Sequence, residues 1–217
     1  MMEQVETQTN AKRLTPQWTM QLHTQVAQRL FVGSWNRRFG LQQFAASMKR
    51  VCDAAQADDP YAHVLTLQVD EQIQKLYAEQ QQDIIQLEDV RDQFAQRGVQ
   101  IVVPENAAPW VKPLRFSTPM AYQAAFLLVD FDYLVRLSLT LKGVGDLKTV
   151  KPMALYQAMK KELLQLYALP RQWRVTGVTC ADLLQRTAKG LQAEALLGVL
   201  PRVLLENFKV NQLALKL

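Results

Sequence analysis

The stretch Gln17–Phe31, QWTMQLHTQVAQRLF, changes period halfway along. From Gln17 to His23 apolar and polar residues alternate, with Trp18, Met20 and Leu22 on one side and Gln17, Thr19, Gln21 and His23 on the other. A period of two describes a half-buried strand. Thr24 then stands where a helix N-cap belongs, and Val26, Ala27, Leu30 and Phe31 recur at helical spacing. Gly33 ends that helix, GSWNRRFG forms a glycine-bounded turn, and Leu41, Phe44, Met48, Val51 and Cys52 lay out a second amphipathic helix. The order is strand, short helix, turn, longer helix.

Working outward, Asp58, Asp59 and Pro60 interrupt that helix, and residues 64–96 read as a long Gln- and Glu-rich helix with one apolar face. VQIVV, Val99–Val103, reads as a strand ended by Pro104, and LRFS from Leu114 as a third strand. Between them ENAAPWVKP is the most loop-like part of the chain. Thr118 and Pro119 then supply a cap and a first helical residue for the most apolar helix, which runs to about Lys142. Further helices are expected over Met153–Ala168 and from the TCAD capping box, Thr179–Asp182, in one run through Leu197. The expected fold class is mainly α with a small β element: a ribbon-helix-helix-like strand-helix-helix unit embedded in a larger helical domain. Residues 1–217 form a single domain in this reading, with 1–12 flexible, 13–57 the strand-helix-helix unit, and 58–217 a helical body with short strands near 99–103 and 114–117.

The chain of 217 residues is long enough to bury a substantial core, and its 21% charged residues are ordinary for a globular protein. No apolar run approaches the roughly 20 residues needed to cross a bilayer, so no membrane partner is expected. Cys52 and Cys180 lack CxxC spacing and read as free thiols of a reducing, cytoplasmic compartment.

The net charge of +5 is unevenly spread. Residues 11–50 contain Lys12, Arg13, Arg29, Arg37, Arg38, Lys49 and Arg50 and no acid, whereas residues 51–95 hold ten acids against Lys75 and Arg91. An acid-free run repels itself unless an anion meets it, and nucleic acid is the commonest such anion. The acidic middle folding back onto the basic front is the competing reading.

No phosphate loop, GxGxxG, HExxH or GxSxG is present, and His23, His63 and the two cysteines have no metal-ligand spacing. The pairs Asp130/Asp132 and Asp58/Asp59 could hold a divalent cation, but such pairs more often cap helices or meet arginine. No enzyme, cofactor or metal is expected. Ribbon side chains facing a DNA major groove can read bases, and glutamine can bond adenine through two contacts. On that reading Gln17, Thr19 and Gln21 face the bases, while Lys12, Arg13, Arg37 and Arg38 hold phosphates. Lys112 and Arg115, flanking the third strand, either join this basic surface or pair with the acidic middle. The strand could equally be an edge strand of a small sheet formed with QIVV and LRFS within the chain.

The segments LHTQVAQRLFVG, DDPYA, PLRFSTPMAYQAAFLLVDFDYLVR, GVTCADLLQRTAKGLQAE and GVLP, in that order from Leu22 to Pro201, resemble the AcaB-like transcriptional regulator family of conjugative plasmids and integrating conjugative elements. The resemblance implies a DNA-binding regulator related to the ribbon-helix-helix class that activates conjugative transfer genes and has no enzymatic activity. It implies promoter DNA as partner, with a homodimer and the transcription machinery as expected associates. The alternative is a non-catalytic interaction component of the same element, whose basic segment meets an acidic protein.

Overall fold

The computed structural model describes residues 18–33, 39–144 and 150–214. Eight α-helices and a two-stranded sheet make up these residues. The mainly helical class with a small β element, and the strand-helix-helix order at the front, are both present.

Strand β1 (Trp18–Leu22) leads through Thr24 into α1 (Gln25–Val32). The Thr24 side chain accepts from Ala27 N at 3.2 Å, as an N-cap should. Helix α2 (Leu41–Gln56) begins at Gly40, whose backbone passes so near the end of α1 that a Cβ would lie 2.7 Å from Phe31 O. Only glycine fits there. Gln43 holds the joint from the other side, accepting from Gly40 N at 2.9 Å and donating to Val32 O at 3.0 Å.

Helix α3 (Pro60–Gln96) starts where Asp59 accepts from Tyr61 N and Ala62 N, so the aspartate pair ends one helix and caps the next. Helix α4 (Pro119–Lys142) is the centre of the core. Leu128, Phe131, Leu134, Val135 and Leu137 are fully buried, and α2, α3 and α5 (Pro152–Ala168) pack around it. Burying such side chains stabilises by roughly 1.5–3 kcal/mol each. Polar residues enter this layer too: Gln80 of α3 is fully buried and donates to the carbonyl of Leu127 at 3.2 Å, and Ser138 of α4 is fully buried as well.

The sheet differs from the sequence expectation. Strand β2 spans Trp110–Leu114 and pairs antiparallel with β1, Met20 opposite Lys112. The expected strand at 99–103 is not one: Ile101 and Val103 pack against the core and Val102 is exposed, but no described strand pairs with their backbone. The strand expected at 114–117 is displaced toward the N-terminus, ending where it was expected to begin. Burial alternates only over 100–103, Val99 being exposed as well, and the segment β1 pairs with lies past Pro109. Of the inward residues of β1, Met20 and Leu22 are buried as expected. Trp18 is half-exposed instead, because it overhangs the start of α4 and meets Tyr122 and Phe126 at ring separations of 5.9 and 6.3 Å.

The expected last long helix is broken in two. Helix α6 (Cys180–Leu184) is capped by Gln185, the chain turns at Arg186, whose φ is 54°, and Thr187 caps α7 (Ala188–Leu197). Asp182 serves both starts, bonding Thr179 and accepting from the Thr187 hydroxyl at 3.0 Å; these bonds hold its carboxyl below the usual carboxylate range. The C-terminal tail adds α8 (Arg202–Ala214). Leu205, Val178, Leu183, Ala193 and Tyr61 form a second, smaller core at the N-terminal end of α3.

Candidate nucleic-acid interface

The turn between β1 and α1 is built on a buried carboxylate. Asp132 of α4, 1% exposed, accepts from His23 N at 3.0 Å, Thr24 N at 2.8 Å and the Thr24 hydroxyl at 2.7 Å. Arg136, one turn on, lies 3.5 Å from the same carboxylate and also 3.5 Å from Glu105. His23 Nδ1 in turn accepts from Asn106 N at 3.1 Å. The loop before β2, the turn after β1 and the central helix are thus joined through Asp132, His23 and Arg136 together. Hydrogen bonds to a charged partner contribute about 1.5–3 kcal/mol each, so this joint fixes the angle at which β1 leaves the core.

In an antiparallel pair, opposed residues share a face. Thr19 with Pro113, and Gln21 with Val111, therefore face outward, and all four are exposed. This outward face carries no charge among the described residues. Lys112 lies opposite Met20 on the inward side, half-exposed, its ammonium 4.8 Å from the centre of the Trp110 ring. Arg115 is exposed just beyond β2 and borders a hollow of about 260 Å³ with Gln42, Ala46 and Lys49 of α2. Lys12, Arg13, Gln17, Arg37 and Arg38 lie outside the described residues.

Among the described residues the acidic middle meets the basic front at one ion pair, Lys49 with Asp53 one turn along α2. Acids of α3 pair within their own helix, Glu79 with Lys75 and both Glu88 and Asp92 with Arg91. Three of the four acids weighed as cation ligands have hydrogen-bond partners. Asp130 accepts from Gln81 at 3.1 Å, and its burial raises its pKa; Asp132 and Asp59 are engaged as described. Among the described residues no cluster of three or more His, Cys, Asp or Glu could hold a metal ion. Burial pushes the Cys180 thiol up to about 12, which leaves it a packed, unreactive residue at neutral pH. Among the described residues no helix is long and apolar enough to cross a membrane.

Sequence reasoning missed the second concentration of charge. Arg50 near the end of α2 and Arg171 and Arg174 after α5 line one cleft of about 720 Å³ with Phe39 and Trp173. No spacing rule links residues more than a hundred positions apart.

The site is thus a small sheet braced from behind by the helical body, with Thr19, Gln21, Val111 and Pro113 exposed on its outward face. Comparison with known proteins makes the class definite: the family model described as "Transcriptional regulator AcaB" matches residues 11–217. The chain belongs to the AcaB family of transcriptional regulators. Among solved structures it is similar in fold to the selenomethionine-containing AcaB from uropathogenic E. coli, at 14% identity and a TM-score of 0.54, over 88% of this chain and 95% of that one. No curated protein matches.

Proposed function

We propose that the protein binds promoter DNA as a homodimer in the bacterial cytoplasm and activates transfer genes of a conjugative element, assisting the transcription machinery without catalysis of its own. The observation that carries this reading is the outward pair Thr19 and Gln21, exposed on a sheet whose turn is anchored to the core through Asp132. In this proposal residues 13–57 are the DNA-binding unit on a body formed by 58–217. Gln17, Thr19 and Gln21 read base edges, and Lys12, Arg13, Arg37, Arg38, Lys112 and Arg115 hold phosphates. Phosphate contacts supply affinity and steep salt dependence, whereas base contacts supply preference.

The test is an electrophoretic mobility shift on promoter fragments from the protein's own element against random DNA, over a salt series. Preferential retardation, with log affinity falling by about 0.9 per phosphate neutralised for each tenfold rise in salt, is the expected result. Absence of retardation at low salt would sink it.

One observation favours a second reading, in which a basic segment meets an acidic protein partner. Trp18, Phe126, Tyr122 and Phe116 border a hollow of about 490 Å³, with Trp18 and Phe126 each about half-exposed. Large exposed aromatics of this kind are enriched at protein interfaces. Co-purification of a partner by a protein that retards no DNA would favour it.

A further inference from the structure

The cleft of Arg50, Arg171 and Arg174 has the chemistry of a ligand site separate from the sheet. Its walls come from three pieces of chain: Phe39 before α2, Ser47 and Arg50 on α2, and the turn Pro170–Val175 after α5. At about 720 Å³ it falls within the roughly 300–1,000 Å³ typical of small-molecule sites. Three guanidinium groups border it, no carboxylate lines it, and none of the three arginines forms an ion pair among the described residues. Like charges gathered around one concavity repel each other, and an anion placed between them relieves that cost.

The heads are partly held in place before any ligand arrives. Arg174 Nη1 donates to the Arg171 carbonyl at 2.8 Å, and Arg50 Nη2 donates to the Ser47 hydroxyl at 3.4 Å. The Arg171 guanidinium lies 4.9 Å from the centre of the Phe39 ring. Most of the remaining wall is apolar: Phe39 and Trp173 are half-buried, Pro170 is buried and Val175 is 76% exposed. A bare inorganic anion would use the arginines and leave this apolar wall wet. A group that joins a phosphate to a planar ring uses both, through charge-assisted hydrogen bonds on one side and aromatic contact on the other. We infer that the cleft between α2 and the turn after α5 binds a nucleotide unit, its phosphate on Arg50 and Arg174 and its base against Trp173 and Phe39. The unit has two possible sources, a free mononucleotide acting as an effector or a nucleotide of a DNA strand.

The probes are inorganic phosphate, AMP and a random-sequence DNA duplex, titrated by calorimetry against the full chain and the double variant R50A/R174A. Both arginines are solvent-exposed, so the fold should survive; R174E alone serves as a second variant, and circular dichroism checks both. Saturable AMP binding at least tenfold tighter than phosphate, reduced at least tenfold in the variants, assigns the free nucleotide. No AMP binding, but a random-duplex affinity that falls in the variants with the salt slope reduced by about two in the double variant, assigns a nucleotide of the strand. AMP no tighter than phosphate, with variants that match the parent on the duplex, would overturn the inference. The site does not depend on the sheet reading bases: AMP affinity is measured without DNA, so a protein that shows no promoter preference can still bind AMP at the cleft.

Discussion

The outward face of the sheet and the arginine cleft divide two properties that DNA-binding surfaces usually combine. The sheet face is held to a fixed geometry by a buried carboxylate, but shows no charge among the described residues. The cleft concentrates charge, but its arginines stand at the surface with few bonds to hold them. Precise placement comes from buried, fully bonded groups, whereas attraction comes from exposed ones. The two demands conflict at any single residue, so they fall on different parts of the molecule.

Asp132→Ala is the substitution that should separate the two regions most sharply. It strands the N–H groups of His23 and Thr24 and leaves Arg136 short of a partner. The loss should be about 3 kcal/mol, which for a chain of this size lowers Tm by about 6–12 °C. Thermal unfolding measures it, and a Tm within 1 °C of the parent would mean that the sheet is held by packing alone. AMP binding at the cleft should persist below the new Tm.

Thr24→Ala removes the cap of α1 and one of the bonds to Asp132 while leaving both backbone donors paired. Expected destabilisation is about 1–2 kcal/mol by denaturant titration, clearly less than for Asp132→Ala. Equal losses would shift the joint's weight from the carboxylate to the threonine.

A pH effect belongs to the first turn of α3. Burial lowers the His63 pKa from its ordinary 6.5, against the opposing pull of Asp58 and Asp59, and its ring stacks on Phe208 at 4.9 Å. The unfolded chain therefore takes up this proton before the folded one does. Stability contributed here is present above pH 6.5 and is lost as pH falls through that value toward the folded pKa. Between pH 7.5 and 6 the Tm should fall, and His63→Phe should flatten that fall; an unchanged slope would remove His63 as its source. Asp59 is shifted upward by burial, so its opposite contribution belongs to more acidic pH.

The smallest effect on stability is expected at Gln21→Ala, within about 0.5 kcal/mol, because the side chain is exposed. If Gln21 reads a base, the variant should nevertheless lose roughly 1–3 kcal/mol of discrimination between promoter and random DNA in competition binding. Equal weakening on all DNA would make it a phosphate contact.

Local chemistry made most helix starts legible. Thr24, Thr118 with Pro119, and Thr179 stand where the structure places caps, whereas the long helix read over 64–96 begins at Pro60 with Asp59 as its cap. Thr187 is a cap of the same kind, but it follows a helix of only five residues, so the apolar pattern runs through it and two helices read as one. The strand partner of β1 was hidden because Pro109 and Pro113 make its segment look like loop, while Val99–Val103 reads as a strand without pairing. Asp132 was visible as half of an acid pair, yet nothing local says that it reaches a turn more than a hundred residues earlier. Thr19 and Gln21 were placed outward by alternation alone, and the structure exposes both. The cleft was illegible because Arg50, Arg171 and Arg174 become neighbours only after α2 and α5 have packed.

The register that sets Met20 against Lys112 also has a consequence in time. On the ribosome, the partner of β1 follows it about ninety residues later, a delay of roughly 5–18 s at 5–20 residues per second. Helices α2 and α3 can form from nearby residues during that interval, but β1 must wait with an unpaired edge, beside an anchoring carboxylate that has not yet been synthesised. The part of the molecule proposed to read DNA is therefore translated well before the strand and the carboxylate that complete it.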